Sequence, residues 1–160
     1  MPVLTHSEVV QTFGDPSEYI RDDGSVDPEW EKMMVSMPLP APLPYLVEGK
    51  TLKSLRVHHR IVDRMAEAFD ILWVAGQWGL LKDCGGCYCW RSQRKAAALS
   101  HHAWGIAVDL NCRDNPFQRP PKMPVQVVRA FMRAGFVWGG DWLRRRDGMH
   151  FEFYDLGRLA

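Results

Sequence analysis

The sequence predicts a single α+β domain, with helices packed on a small, mainly antiparallel sheet. Three observations lead there. A chain of 160 residues suffices for one core, since this size buries roughly 68 to 70% of its unfolded surface. Hydrophobic residues make up 46% and charged residues 24%, the balance of a globular chain and not of a disordered one. Helical and strand-like hydrophobic periods also alternate, in the order helix, proline ribbon, helix, strands, helix, strands.

Each element has a local cause. Thr5-x-x-Glu8 is a capping box that opens a short helix from about His6 to Thr12, closed by Gly14 and Pro16. Pro38, Pro40, Pro42 and Pro44 in MPLPAPLPY fix φ and remove N–H groups, which predicts an extended, polyproline-like ribbon. That ribbon is either a connector packed across the surface or the lip of a cleft. Residues 1–50 therefore read as an N-terminal helix and proline-rich segment packed on a core of residues 51–160, one domain overall.

From Val57 to Ala75, the residues Val57, Ile61, Met65, Ala68, Phe69 and Leu72 recur at three and four and predict the main core helix. CYCWR after Cys84-Gly85-Gly86 alternates like a strand, and Gly105 to Asn111 reads as a buried one. Pro124 suits a first helical turn, Val127, Val128, Phe131 and Met132 repeat helically, and Gly135 stops the helix. Phe136 to Trp138 and His150 to Tyr154 complete the strands.

Composition excludes several function classes. Twenty Lys and Arg against 19 Asp and Glu leave a net charge of +1, with no excess to neutralise a phosphate backbone, so no nucleic-acid partner is expected. The greasiest segment, Ile71 to Leu81, is interrupted by Gly76, Gln77 and Gly79 and falls short of the ~18 apolar residues that a membrane span needs. The N-terminus has neither a basic n-region nor an apolar h-region, so a chain made in the cytoplasm without a signal peptide is expected. A monomer is expected too. Cys84, Cys87, Cys89 and Cys112 form C-x-x-C-x-C plus one distant partner. A structural zinc set is one reading; buried small thiols are the favoured one, because Cys112 stands alone.

Two segments carry the chemistry: SHHAWGIAVD (Ser100 to Asp109) and DGMHFE (Asp147 to Glu152). On one straight strand His102 and Asp109 would lie about 23 Å apart, and on one helix about 10 Å. Ligand atoms each sit about 2 Å from zinc, so a shared ion requires the chain to fold back, and Trp104-Gly105 is where it can turn. Asp109 then points inward from a strand whose Gly105 and Ala107 share its face and leave room. His150 is the third candidate, from a neighbouring strand, and Glu152 shares its parity and can orient it. Asp147 lies three residues before His150, within reach of a bound water; its alternative is a turn residue before Gly148. Two histidines and one carboxylate leave a tetrahedral position open, as catalytic rather than structural zinc does.

SHHAWGIAVDLN followed by DGMHFEF resembles the S-x-H-x(6)-D and [DE]-x-x-H signatures of the zinc D,D-carboxypeptidase and L-alanyl-D-glutamate peptidase family. That family includes vancomycin-resistance dipeptidases and phage endolysin peptidases. The resemblance runs from about Val57 to the C-terminus, with GGCYCWR and FVWGGDW as supporting blocks. It implies Zn2+ held by His102, Asp109 and His150, Asp147 as general base, and Arg91 facing the substrate carbonyl or carboxylate and the oxyanion. Two departures stand out. The base is Asp where better-known members carry Glu, and His101 puts a second imidazole beside His102, although the spacing to Gly105 and Asp109 favours His102.

Ser100, Glu152, Asp141 and Trp104 are read as substrate contacts or supports of the ligands, and Trp138 and Trp142 as possible walls. Arg94, Lys95 and Arg144 to Arg146 read as solvated, with attraction to acidic peptide stems or anionic wall polymers as the functional alternative. The implied activity is zinc-dependent hydrolysis of an amide in the peptidoglycan peptide stem, foremost by a phage-type L-alanyl-D-glutamate endopeptidase released to the wall at lysis. The alternatives are a D-alanyl-D-alanine carboxypeptidase of wall remodelling and a non-catalytic metal-binding recognition domain.

Overall fold

The capping box forms as the sequence specifies. In a computed structural model that describes residues 2–47, 49–91, 93 and 98–159, Thr5 Oγ1 accepts from the Glu8 N–H at 3.3 Å, and the Glu8 carboxylate accepts from the Thr5 N–H at 2.7 Å. These bonds satisfy orphan donors at the start of helix α1 (His6–Phe13). At its other end, side chains of the core take three carbonyls. Arg60 donates to Thr12 O at 2.6 Å, His58 Nε2 to Phe13 O at 3.3 Å, and the Trp104 indole to Gly14 O at 2.9 Å. Burial foremost, with the neighbouring charge of His59, lowers the His58 pKa to about 4, which keeps the ring neutral so that Nδ1 can accept from the Arg60 N–H at 3.2 Å. The short helix α2 (Pro28–Glu31) is capped by Asp27, and its fully buried Trp30 donates to Ala103 O at 3.0 Å. Both N-terminal helices are thereby anchored on the turn His101–Trp104.

The proline ribbon is a paired strand and not a free connector. Strand β1 (Met34–Pro44) runs antiparallel to β2 (Thr51–His58), and the division drawn at residue 50 falls within this hairpin. Between Pro38 and Leu43, five steps of β1 face two of β2. The bulge contains Pro40 and Pro42, whose missing N–H groups cannot serve a ladder.

The main helix starts later than its periodicity suggests. Helix α3 spans Val62–Val74 and buries Met65, Ala68, Phe69 and Leu72. Val57 belongs to β2, where it faces Val35. The four-residue interval to Ile61 imitates a helical face because a strand end and a helix start both point into one core. Helix α4 (Val125–Arg133) packs on α3 through an edge-to-face contact of Phe131 with Phe69 at 5.3 Å. Pro124 directly precedes it and Gly135, at φ +99, ends it; Met132 faces outward, against expectation.

Four short strands form the second sheet: β3 (Cys84–Gly86), β4 (Ala107–Leu110), β5 (Phe136–Trp138) and β6 (His150–Phe153), in the order β3-β4-β6-β5, every pair antiparallel. The strand read in CYCWR lies earlier, at Cys84–Gly86. Gly86, at φ +92, turns the chain off the sheet, and Cys87 to Arg91 is then tied by bonds such as Tyr88 N–H to Arg56 O and Cys89 N–H to His102 O. All four cysteines are free; Cys84, Cys87 and Cys112 are buried thiols, and burial drives Cys84 up to about 12. Among the described residues they form no metal-binding set, and no helix is long and apolar enough to cross a membrane.

Gly105 links the two halves. It adopts φ +65, and a Cβ there would sit 2.6 Å from Met34 Sδ and 3.0 Å from the His58 backbone nitrogen. Gly105→Ala is therefore expected to destabilise the fold by about 1–3 kcal/mol or more, measured by urea unfolding. It should also weaken metal binding, because this residue turns the chain between His102 and Asp109.

Candidate active site

His102 sits in the 3-10 turn His101–Trp104, whose start is capped by Ser100: the hydroxyl accepts from the His102 N–H at 3.4 Å. Gly105 in the left-handed conformation reverses the chain into β4, and Asp109 points back at His102. On the neighbouring strand His150 lies directly opposite Asp109, and Glu152 opposite Ala107. Register alone puts these four side chains on one face, and the small Ala107 leaves space for the carboxylate. Beside Asp109, Gly86 pairs with it across a one-residue bulge, and a Cβ on Gly85 would meet Asp109 Cβ at 3.1 Å.

The three candidate ligands converge. His102 Nε2 and His150 Nδ1 each lie 3.1 Å from Asp109 Oδ1, and one donor atom from each residue falls within 4.8 Å of the others. All three residues are nearly inaccessible. His102 Nδ1 lies 2.6 Å from the Cys87 carbonyl, an acceptor only, so that nitrogen carries a proton and Nε2 presents its lone pair to Asp109. His150 Nε2 lies 2.9 Å from Glu152 Oε2, which by the same reasoning turns the Nδ1 lone pair inward. Two imidazole lone pairs and a carboxylate oxygen thus face one point, an arrangement that repels itself unless protons or a cation sit between them. This donor set fits a divalent ion of the zinc class, with outer partners that hold each ring in the ligating tautomer.

In the metal-free protein, protons take that place. Burial pulls the His150 pKa down, but its hydrogen bonds to Asp109 and Glu152 outweigh that and raise it to about 10. For Asp109 burial works upward, yet the charge and hydrogen bond of His102, joined by His150, hold the carboxyl well below the usual range. Burial likewise opposes the ionised form of Glu152, and His101 and His150 together keep it ionised. His101 Nδ1 lies 3.1 Å from Glu152 Oε2, at ion-pair distance but off the axis of a hydrogen bond. His101 therefore faces Glu152 from the cleft, and His102 is the one in the cluster.

A cleft of about 460 Å³ opens onto this cluster. It is lined by His150, Glu152, His101, Asp147, Arg91, Asp141 and Trp142, and of the three candidate ligands His150 is the one that borders it. Asp147 is fixed through its backbone: its N–H donates to Gly139 O at 2.9 Å, and its carbonyl accepts from the His150 N–H at 3.2 Å. A Cβ on Gly139 would approach Asp147 O to 2.6 Å, so the glycine of WGGDW allows this close passage. Arg91 donates to Asp109 Oδ2 at 3.1 Å while lining the cleft, so it touches a ligand as well as the space for substrate.

Ser100 lines the cleft, and Asp141 stands at its exposed side. Trp104 does not line it. That indole is buried against α1, because its N–H serves Gly14 O. Trp138 also turns away and donates to Gly148 O at 2.8 Å, whereas Trp142 is a wall, 5.6 Å from the His150 ring. Arg94 and Lys95 lie outside the described residues. Sequence reasoning missed the Cys87 carbonyl, and also Val3, Leu4, Phe117 and Leu143, which line the cleft. A backbone acceptor has no residue signature, and nothing local ties residues 3 and 4 to a site a hundred residues onward.

Two outcomes are expected. Glu152→Gln should weaken zinc affinity by roughly 10- to 100-fold, measured by competition with a chromogenic chelator. The chelated, metal-free protein should lose stability as pH rises. A raised folded-state pKa means that the His150 contribution is complete below its unfolded value near 6.5 and is lost as pH climbs through about 10. Chemical denaturation at pH 6, 8 and 10 reads this directly.

Residues 93–153, a stretch that includes His102, Asp109, His150 and Asp147, match the family model described as D-alanyl-D-alanine carboxypeptidase, and this part of the chain is similar to that family.

Proposed function

We propose that the protein is a zinc metallopeptidase that hydrolyses an amide bond in the peptide stem of peptidoglycan. The observation that carries this reading is the convergence of His102, Asp109 and His150, with His150 lining a cleft that Asp147 also lines. Bound there, zinc supplies a Lewis acid that polarises the scissile carbonyl and acidifies water. Asp147, one turn before His150, takes the proton of the attacking water and returns it to the leaving amine. Arg91, which lies just outside the matched stretch, spends one N–H on Asp109 and keeps further donors for the oxyanion. Glu152 and the Cys87 carbonyl hold the two imidazoles in the ligating tautomer throughout.

For the bond that is cut, we favour internal cleavage of the L-alanyl-D-glutamate type, as in a phage-type endolysin acting on the wall. A cleft of about 460 Å³ with walls from four separate segments exceeds what a terminal D-alanyl-D-alanine fills. The second reading, a D-alanyl-D-alanine carboxypeptidase, is favoured by the description of the matching family. Asp147 in the lining of the cleft, beside His150, speaks against a purely binding role.

With purified walls, Asp147→Asn is expected to keep its zinc while hydrolysis falls by about 10²- to 10⁴-fold. Unchanged hydrolysis would remove Asp147 from the mechanism and favour the recognition domain. Arg91→Ala should lower kcat by about 10²- to 10³-fold; zinc content assayed alongside separates oxyanion stabilisation from support of Asp109. Mass spectrometry of the products identifies the bond: new amino termini within the stem mark an endopeptidase, and free D-alanine marks a carboxypeptidase.

A further inference from the structure

The mouth of the cleft contains apolar surface that the hydrolytic chemistry does not use. Val3 and Leu4 line it from the N-terminal segment, Phe117 from the loop after β4, and Leu143 from the loop before β6. Leu143 is 97% exposed and Val3 48%, although both stand at the opening of a catalytic cleft. Arg144 lines the same mouth.

These residues are held in position. The capping box fixes the chain at Thr5, directly after Leu4. The far end of α1 is gripped by Arg60, His58 and Trp104, and Trp104 belongs to the turn that carries His102. Residues 3 and 4 thus enter the cleft lining directly before a helix that the core holds in place. Across the mouth, the Gln118 N–H donates to Arg146 O at 2.8 Å and joins the loops of Phe117 and Leu143. Gln118 and Arg145 both adopt positive φ, at 61° and 56°, a conformation uncommon in residues other than glycine that stores strain in these two loops.

We infer that Val3, Leu4 and Leu143 form an apolar subsite for an aliphatic side chain of the substrate beside the scissile amide, with Arg144 recognising a free carboxylate on the same peptide. The occupant is thus an acidic peptide with an aliphatic arm, and the inference rests on the reading of the cleft as a stem-peptide hydrolase. Apolar walls at the mouth reward burial of methylene groups, and a cation there selects a carboxylate over its amide. The subsite supplies selectivity and leaves the reacting groups untouched.

The test uses the zinc-loaded full chain and the soluble peptide L-alanyl-D-glutamyl-L-lysyl-D-alanyl-D-alanine, its glycine-for-lysine analogue, and its form amidated at the D-glutamate α-carboxyl. Val3→Asp and Leu143→Asp are expected to raise KM for the parent peptide roughly tenfold with kcat and zinc content unchanged, and to erase its advantage over the glycine analogue. Arg144→Glu should erase the preference for the free carboxylate over the amide. Val3→Ser and Leu143→Ser are expected to move KM in the same direction, which separates loss of apolar surface from the added negative charge. Cleavage by the parent protein with KM unmoved in the Val3 and Leu143 variants overturns the subsite alone. Failure of the zinc-loaded parent protein to cleave either the peptide or purified walls overturns the hydrolase reading and the subsite with it.

Discussion

Three lone pairs aimed at one point are the constraint around which this molecule is built. Bringing His102 Nε2, His150 Nδ1 and Asp109 Oδ1 together without a cation between them costs electrostatic energy, and the surrounding structure is arranged so that they stay together. The Cys87 carbonyl and the Glu152 carboxylate each hold one imidazole by its outer nitrogen, and Arg91 holds the other oxygen of Asp109. Every donor therefore has a second contact that fixes its direction. Such outer contacts orient metal ligands and tune their basicity.

The scaffold achieves this precision with very short strands. Three- and four-residue strands are individually weak, but β4 and β6 place Asp109 opposite His150 by register, and a one-residue slip would turn the pair to the opposite face. Aromatic packing beneath the sheet opposes that slip: Phe151 packs at a tilt against Phe131, with centroids 4.7 Å apart, and Phe131 itself meets Phe69 and Phe136 edge to face. Glycines at 105 and 139 mark where backbone passes so close to another segment that a Cβ would collide with it. The ligands stand on strands and a tight turn, while Asp147 and the mouth of the cleft stand on loops. Rigid elements set the geometry of the His-Asp-His cluster, and loops set what reaches it.

The N-terminal third is part of the same device. Trp30 and Trp104 each direct an indole N–H at a backbone carbonyl, tying α2 to the ligand turn and the ligand turn to α1. A buried tryptophan needs such a partner, and here the partners connect segments far apart in the chain. The N-terminal segment consequently reaches the cleft mouth with its position already fixed.

The sequence by itself singled out His102, Asp109 and His150 as a candidate ligand set, along with the need for a reversal at Trp104-Gly105, the capping box of α1, and the positions of β5 and most of β6. Each is a local feature: a residue type, a spacing or a cap. It misassigned the proline ribbon, the start of α3 and the strand in CYCWR, because two of these are settled by pairing partners distant in sequence and the third by a single glycine at positive φ. Between His101 and His102 the spacing favoured the latter; the tertiary structure supplied the reason, a carbonyl at Cys87 behind one ring and Glu152 in front of the other. Tertiary structure alone decided that Trp104 faces the core, that Arg91 grips Asp109, and that residues 3 and 4 wall the cleft. Backbone acceptors, strand register and long-range approach leave no trace in residue order, since they arise only when separate segments compete to bury the same surface.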